Sequence, residues 1–177
     1  VSVDVKAFRK IILDTLKSIA NHGFRYVMIL TFHADPFYIK AIHEAIKKVE
    51  KNRDIRVAEP LSKIFYEERK SIHHSGKEET SIMLYLYPYL VDKSYKSLKE
   101  IRLSTSPFDF RKTLKELGAR EGYVGDPSKA TMELGRKLFN YIVNLCVETA
   151  QELLESKYEN HLPKPLRYLP LFLQRKY

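Results

Sequence analysis

One cysteine, Cys146, and no tryptophan occur in 177 residues. A lone thiol excludes an internal disulfide framework and makes a reducing, cytoplasmic setting the expectation. No apolar run approaches the roughly 20 residues that span a bilayer, and no signal-peptide pattern precedes the first helical segment, so no membrane association is expected. Internal repeats and low-complexity tracts are also missing, which excludes repeat and fibrous architectures.

What is present suits a folded domain. Hydrophobic residues make up 44% of the chain, enough for one core at this length. The net charge of +9 raises the expectation of anionic partners. The lysines, however, are interleaved with acids along helical stretches such as "IKKVEK" and "RKTLKEL", as on a solvated face. No helix-turn-helix or RNA-binding signature accompanies them, so a nucleic-acid partner ranks low. Richness in Lys, Glu, Ile and Tyr is compatible with a thermophilic source.

Helical spacing of Val5, Phe8, Ile12, Leu16 and Ile19 predicts a first helix, capped by Asp4 and ended at Gly23. "YVMIL", Tyr26 to Leu30, reads as a strand buried on both faces. A helix carrying Ile42, Ala45, Ile46 and Val49 follows, and then a weaker strand in "IRVAEP". This alternation predicts an α/β fold with a largely parallel sheet and helices on both faces. Residues 61–76 read as irregular. Helix returns at Glu78–Leu86, a shorter helix is expected in "SPFDFRKTLKELG", and a long helix follows "GYVGDPSKAT", with Asp126 at its N-cap and Pro127 at its first position. Residues 1–158 are expected to form the domain. Residues 159–177 form a proline-rich apolar tail that packs on a surface or a neighbouring subunit.

Two polar groups carry candidate chemistry. His33 and Asp35 follow the first strand, at the end where open α/β sheets bind ligands, and each offers a metal ligand. Asp35 also precedes Pro36, as an N-cap does. "HHSGKEETS" holds His73 and His74 before a helix. Ser75 and Glu78 fit a capping box, which leaves the histidines unexplained; a histidine there can act as general acid or base. "GYVGDPSKAT" lacks the lysine-serine pair of a phosphate loop and reads as a structural turn.

Three segments together resemble the creatininase (creatinine amidohydrolase) family. "SIANHGFRYVMILTFHADP" resembles the family's "sLa-hGF-r-ivivNGHGGN". "HSGKEETSIMLYLYPYLVD" resembles "HAGE-ETS-ML-l-P-lVd", and "GYVGDPSKATMELGRKLF" resembles "GV-GDP--At-e-G--l". The order and spacing fit over residues 1 to 150. The resemblance implies a metal-dependent amidohydrolase that cleaves the C–N bond of a cyclic amide or formamide with a metal-activated water. It implies His33 as a metal ligand and Asp35 as a shorter carboxylate where the creatininase branch has glutamate. It implies His74 as the proton shuttle and Glu79 as a carboxylate at or near the metals. The cofactor would be a divalent metal (zinc, manganese or iron), the partner a small-molecule amide, and the assembly a homo-oligomer.

The departures define the alternative. The family's opening motif, E-x-H-G-x-H-L-P followed by Asp, is absent. Thr31-Phe32 replaces Asn-Gly before His33, Pro36 replaces the closing Asn, Ser75 replaces Ala, and Lys77 replaces Glu, placing a cation near the expected metals. Either the N-terminal part lies elsewhere, on a longer protein or another chain, or the chain is a catalytically inactive homologue that has lost its metals and serves as a structural or regulatory subunit. In both cases the domain lacks the first part of the family fold. An apolar sheet edge is then expected to be open to a second copy or to a partner chain that completes the sheet.

Overall fold

The computed structural model describes residues 3–68, 74–103 and 112–170. The chain divides into two compact units, one of Val1–Arg69 with Leu145–Tyr177, the other of Lys70–Asn144.

In the first unit, helix α1 (Val5–Asn21), strand β1 (Tyr26–Met28), helix α2 (Pro36–Asn52) and strand β2 (Arg56–Ala58) follow in order. The two strands pair in parallel, Val27 opposite Val57. Each helix starts where its sequence promises. Asp4 accepts hydrogen bonds from the backbone N–H of Lys6 and Ala7, and Asp35 from those of Phe37 and Tyr38, satisfying donors that the first helical turn leaves free. Gly23 ends α1 with φ +90, a conformation that costs a glycine little.

Both helices lay their apolar stripes on one face of the sheet. Leu13, Leu16 and Ala20 of α1 meet Ile42, Ala45, Ile46 and Val49 of α2, with Ile55 and Val57 from the second strand and Val27 and Ile29 packed against them. Each such aliphatic side chain contributes about 1.5–3 kcal/mol on full burial. A smaller cluster of Val5, Phe37 and Ala41 closes the end where both helices begin.

The expectation of a first strand buried on both faces is corrected here. The alternate residues Tyr26 and Leu30 are 45% and 56% exposed. A purely apolar run does not report which face is covered, because a missing neighbour leaves no mark on the strand's own residues.

The tail contributes to this unit as far as it is described. Pro163 and Leu166 are buried, and the Lys40 ammonium donates to the carbonyls of Arg167 and Leu169 at 3.0 and 2.7 Å. The Asn160 side chain donates to Val57 O and accepts from Glu59 N–H. Together with Glu50, which accepts from Val57 N–H at 2.9 Å, it satisfies the outer edge of β2.

The second unit holds helix α3 (Lys77–Leu86) and the first part of helix α4 (Met132–Leu154), which continues into the first unit. Two isolated antiparallel bridges, His74 with Val124 and Ile101 with Gly125, tie its loops together. Two helix starts differ from expectation. Asp126 is not the N-cap of the long helix: its carboxylate binds Ser128 Oγ and Lys129 Nζ instead, around the short turn Pro127–Lys129. Thr131 takes the cap, its hydroxyl accepting from Leu134 N–H at 3.1 Å. The Ser75–Glu78 capping box does not form either; Gly76 stands at the cap of α3 with no side-chain bond. Of the helix expected in "SPFDFRKTLKELG", residues 106–111 lie outside the described residues, and the described part, 112–118, is turn rather than helix. Its last part, from Thr113, is a single turn closed by Leu117 N–H to Thr113 O.

Candidate active site

The predicted residues fall into two groups, one in each unit. In the first unit the chain leaves β1 and runs through Thr31–Ala34 to the start of α2. The His33 backbone N–H is held by Thr31 Oγ1 at 3.2 Å, and its exposed ring lies 5.6 Å from the Tyr38 ring. Asp35 is the N-cap described above, one carboxylate oxygen accepting from Phe37 N–H at 2.8 Å and Tyr38 N–H at 3.1 Å. The Tyr66 hydroxyl donates to the Ala34 carbonyl. Burial pushes the Tyr66 phenol well above its usual range, and the nearby Asp35 charge adds to the effect. Tyr66 is therefore a fixed hydrogen-bond donor at neutral pH, and it anchors the loop that carries His33.

In the second unit the "HSGKEETS" segment forms a tightly bonded loop. The His74 N–H donates to Val124 O at 3.1 Å, and the His74 carbonyl accepts from Val124 N–H at 2.7 Å. Both backbone groups of His74 are thus fixed while its side chain faces solvent. Ser75 has φ 49, an uncommon conformation for a residue with a side chain. Two bonds hold it there: its N–H donates to Glu79 Oε2 at 2.8 Å, and its carbonyl accepts from Thr80 Oγ1 at 3.3 Å. Gly76 is required beside it, because a Cβ there would lie 2.6 Å from Val124 O.

Ser81 completes the device. It is fully buried, and its hydroxyl accepts from Thr131 N–H at 3.0 Å. Gly135 on α4 lies so close that a Cβ there would come within 1.8 Å of Ser81 O. The Glu-Thr-Ser run of residues 79–81 therefore ties the His74 loop to α3 and fastens α3 to the start of α4. His73 lies outside the described residues.

Sequence reasoning passed over a third polar group. Glu59 directly follows β2, at the same end as His33 follows β1. Its carboxylate is buried, accepting from Leu61 N–H and Ser62 N–H, both at 3.1 Å, and facing His43 Nε2 at 3.2 Å. Ser62 Oγ lies 3.5 Å from the same imidazole nitrogen. Burial also pushes the neighbouring Tyr158 phenol well up, with the Glu59 charge as a further cause. The strand-end rule that picks out His33 picks out Glu59 equally. With both its oxygens engaged by protein groups, this carboxylate organises the turn after β2.

The donor set can be tested against a metal. Asp35 and Glu79 each have one oxygen engaged by backbone N–H groups. His33 and Asp35 give the first unit two donors, and His74 and Glu79 give the second unit two. A catalytic zinc site takes three protein ligands. Among the described residues, no group of three or more His, Cys, Asp or Glu is placed to hold a metal ion. The carried-over donors do not by themselves fit one.

A surface groove of about 400 Å³ lies elsewhere, lined by Lys6, Arg9, Lys10 and Lys17 of α1 and Glu44 and Lys48 of α2. Arg9 pairs with Glu44 at 2.6 Å, and Lys10 and Lys17 both pair with Asp14. Much of its positive charge is thus already answered within the chain. Among the described residues, no helix is long and apolar enough to cross a membrane.

Comparison with known proteins supports the resemblance. The profile of the family described as creatininase, creatinine amidohydrolase, matches residues 1–150. A solved creatinine amidohydrolase (creatininase) superposes with a TM-score of 0.61 at 21% identity, over 90% of this chain and 67% of its own. A Zn–Zn type creatininase mutant gives 0.61 at 21%, and a manganese creatininase 0.61 at 22%, with the same coverage of both chains. A further creatininase mutant in this group is complexed with creatine. No curated protein matches the chain.

Proposed function

This chain belongs to the creatininase family, and on that premise we propose that it is a hydrolase acting on the C–N bond of a small cyclic amide or formamide. The observation that carries this reading is the clamp on His74. Its backbone is bonded in both directions to Val124, the next residue is held in the left-handed region by Glu79 and Thr80, and its imidazole is left exposed. Such an arrangement spends several interactions on fixing the backbone that carries one side chain able to act as general acid or base.

In this reading water adds to the amide carbonyl, and the C–N bond of the tetrahedral adduct then breaks. His74 delivers the proton that the departing nitrogen needs. Glu79 acts on the position of His74 through Ser75. His33 and Asp35 stand at the sheet end where ligands bind in such folds. The related structures with zinc and manganese support a divalent metal in the family. Among the described residues the carried-over donors number two in each unit, and no group of three or more is placed to hold such a metal.

That same shortfall supports a second reading. With Asp35 serving as a helix cap and Lys77 at the family's glutamate position, the chain is a catalytically inactive homologue that keeps the fold as a structural or regulatory subunit. A cytoplasmic setting and a thermophilic source, both expected from composition, belong to either reading.

The test is metal content by mass spectrometry on the purified, chelator-free chain, followed by hydrolysis of a panel of cyclic amides and formamides. Near two divalent ions per subunit with turnover, and a loss of about 10²–10⁴-fold in His74→Ala without loss of fold, is the expected result. A folded protein with neither metal nor turnover overturns the hydrolase reading in favour of the second.

A further inference from the structure

The ends of the two strands are joined by a closed circuit of contacts that the hydrolase reading does not use. Helix α2 has Asp35 at its start and His43 about two turns later. His43 Nε2 faces Glu59 Oε2 at 3.2 Å, and Glu59 Oε1 accepts from the N–H groups of Leu61 and Ser62, both at 3.1 Å. The chain runs on through a single π-helical turn, Ile64–Glu68. There the Tyr66 hydroxyl donates back to the carbonyl of Ala34, the residue before Asp35. The circuit therefore closes between His33 and Asp35.

Its members are buried, which makes the circuit stiff. His43, Glu59 and Ser62 are 7%, 2% and 2% exposed, and Leu61 and Ile64 are buried beside them. A buried carboxylate is costly unless its oxygens are bonded, so the turn after β2 cannot shift without unpairing Glu59. Ile64 N–H, which donates to Leu61 O at 3.1 Å, passes that constraint to the next turn. The Tyr66 phenol, pushed well up by burial, stays protonated and remains a donor. Phe65 meets Phe32 edge-on, with ring centroids 6.5 Å apart, an apolar hold on the same loop. The loop's local bond, from His33 N–H to Thr31 Oγ1, is exposed and open to competition from water. The buried hold is shielded from that competition.

We propose that Glu59 is a positioning residue for the candidate site: locked by His43, it sets segment 61–66 and, through Tyr66, the place of the loop that presents His33 and Asp35. Glu59 and His43 act from behind the site, without touching substrate. The functional part of this inference rests on His33 and Asp35 belonging to the site. The linkage itself is measured without turnover.

Amide hydrogen exchange of the full 177-residue chain, read residue by residue by NMR, tests it. The reporters are the N–H groups of Phe37, Tyr38 and Ile39, all bonded to Asp35. Tyr66→Phe should speed their exchange by about 5–10-fold, the weight of one hydrogen bond, with the amides of α1 unchanged. Glu59→Ala should do the same from the other end of the circuit. The double variant should exceed neither single variant by much, because both break one linkage. Glu59→Gln should keep the protection: its amide oxygen still accepts from Leu61 and Ser62, and its NH₂ donates to His43 in the other tautomer. Where Glu59→Ala does not fold, Glu59→Asp serves, being one methylene too short to reach both His43 and the turn. Faster exchange at Leu61 and Ser62 alone, with the start of α2 unchanged, overturns the proposal, since Glu59 then serves only its own turn. So do factors that simply multiply in the double variant. A linked response in a chain that hydrolyses no cyclic amide or formamide upholds the linkage and counts against the hydrolase reading alone.

Discussion

Gly135→Ala sets two physical effects against each other. Gly135 lies inside α4, where alanine is the better residue by about 0.5–1 kcal/mol. Helix propensity alone therefore predicts a more stable protein. The packing predicts the reverse. An added Cβ would stand 1.8 Å from Ser81 O, 2.5 Å from Ser81 C and 3.0 Å from Ile82 N. All three are backbone atoms of α3, so no side chain can swing aside, and α3 and α4 must separate by roughly an ångström or more, since non-bonded heavy atoms settle at about 3.5–4 Å. That movement strains the bond from Thr131 N–H to Ser81 Oγ, whose loss leaves a buried hydroxyl unsatisfied at a cost of about 1–3 kcal/mol. Overpacking adds about 1–3 kcal/mol. Net of the propensity gain, the variant should be less stable by about 1–5 kcal/mol, which for a chain of this size lowers the Tm by roughly 2–20 °C. Urea and thermal unfolding followed by circular dichroism measure it. A variant as stable as the parent, or more so, would refute the close approach of α3 and α4 and with it the account of how the His74 loop is fastened.

Two further predictions rest on the same kind of reasoning. Asn160→Ala leaves Val57 O and Glu59 N–H without their partner and should cost about 1–3 kcal/mol by urea unfolding, with Asn160→Asp restoring at most the acceptor half. Acid should destabilise the fold through carboxylates whose pKa values are held below their ordinary range: Asp126 chiefly by Lys129 and then Ser128, Glu133 by Lys137, and Asp92 by the Ser94 N–H. A depressed folded-state pKa contributes stability that is present above the unfolded-state value and lost as pH falls through the folded one. Unfolding midpoints should therefore be flat from neutrality to about pH 5 and fall below about pH 4, less steeply in high salt because these pairs are exposed. A midpoint that rises on acidification would contradict the assignment.

The helix starts at Asp4 and Asp35, the stop at Gly23 and the βαβ alternation were all legible from the sequence. They depend on contacts within a few residues, where a capping carboxylate or a glycine acts on its own neighbours. The family was legible too, because three separated segments resemble it in order. The misassigned caps show where local reasoning ends. Asp126 and Thr131 both suit an N-cap, and Lys129 and Ser128 decided between them by engaging Asp126. Ser75 and Glu78 match the capping box, yet the bridge from His74 to Val124 places Ser75 at positive φ and delivers the neighbouring Glu79 to its N–H.

What the sequence by itself determined is the set of residue types able to carry acid–base chemistry and the elements that bear them. Which of those residues are free to act was decided by tertiary structure. Asp35 is a cap, Glu59 a buried knot with His43, and His74 an exposed imidazole on a fixed backbone. The reason is that a carboxylate is an acceptor wherever it lies, and only packing decides whether a backbone N–H, a histidine or solvent reaches it. The exposure of Tyr26 and Leu30 has the same origin, because an apolar run reads alike whether one or both of its faces are covered.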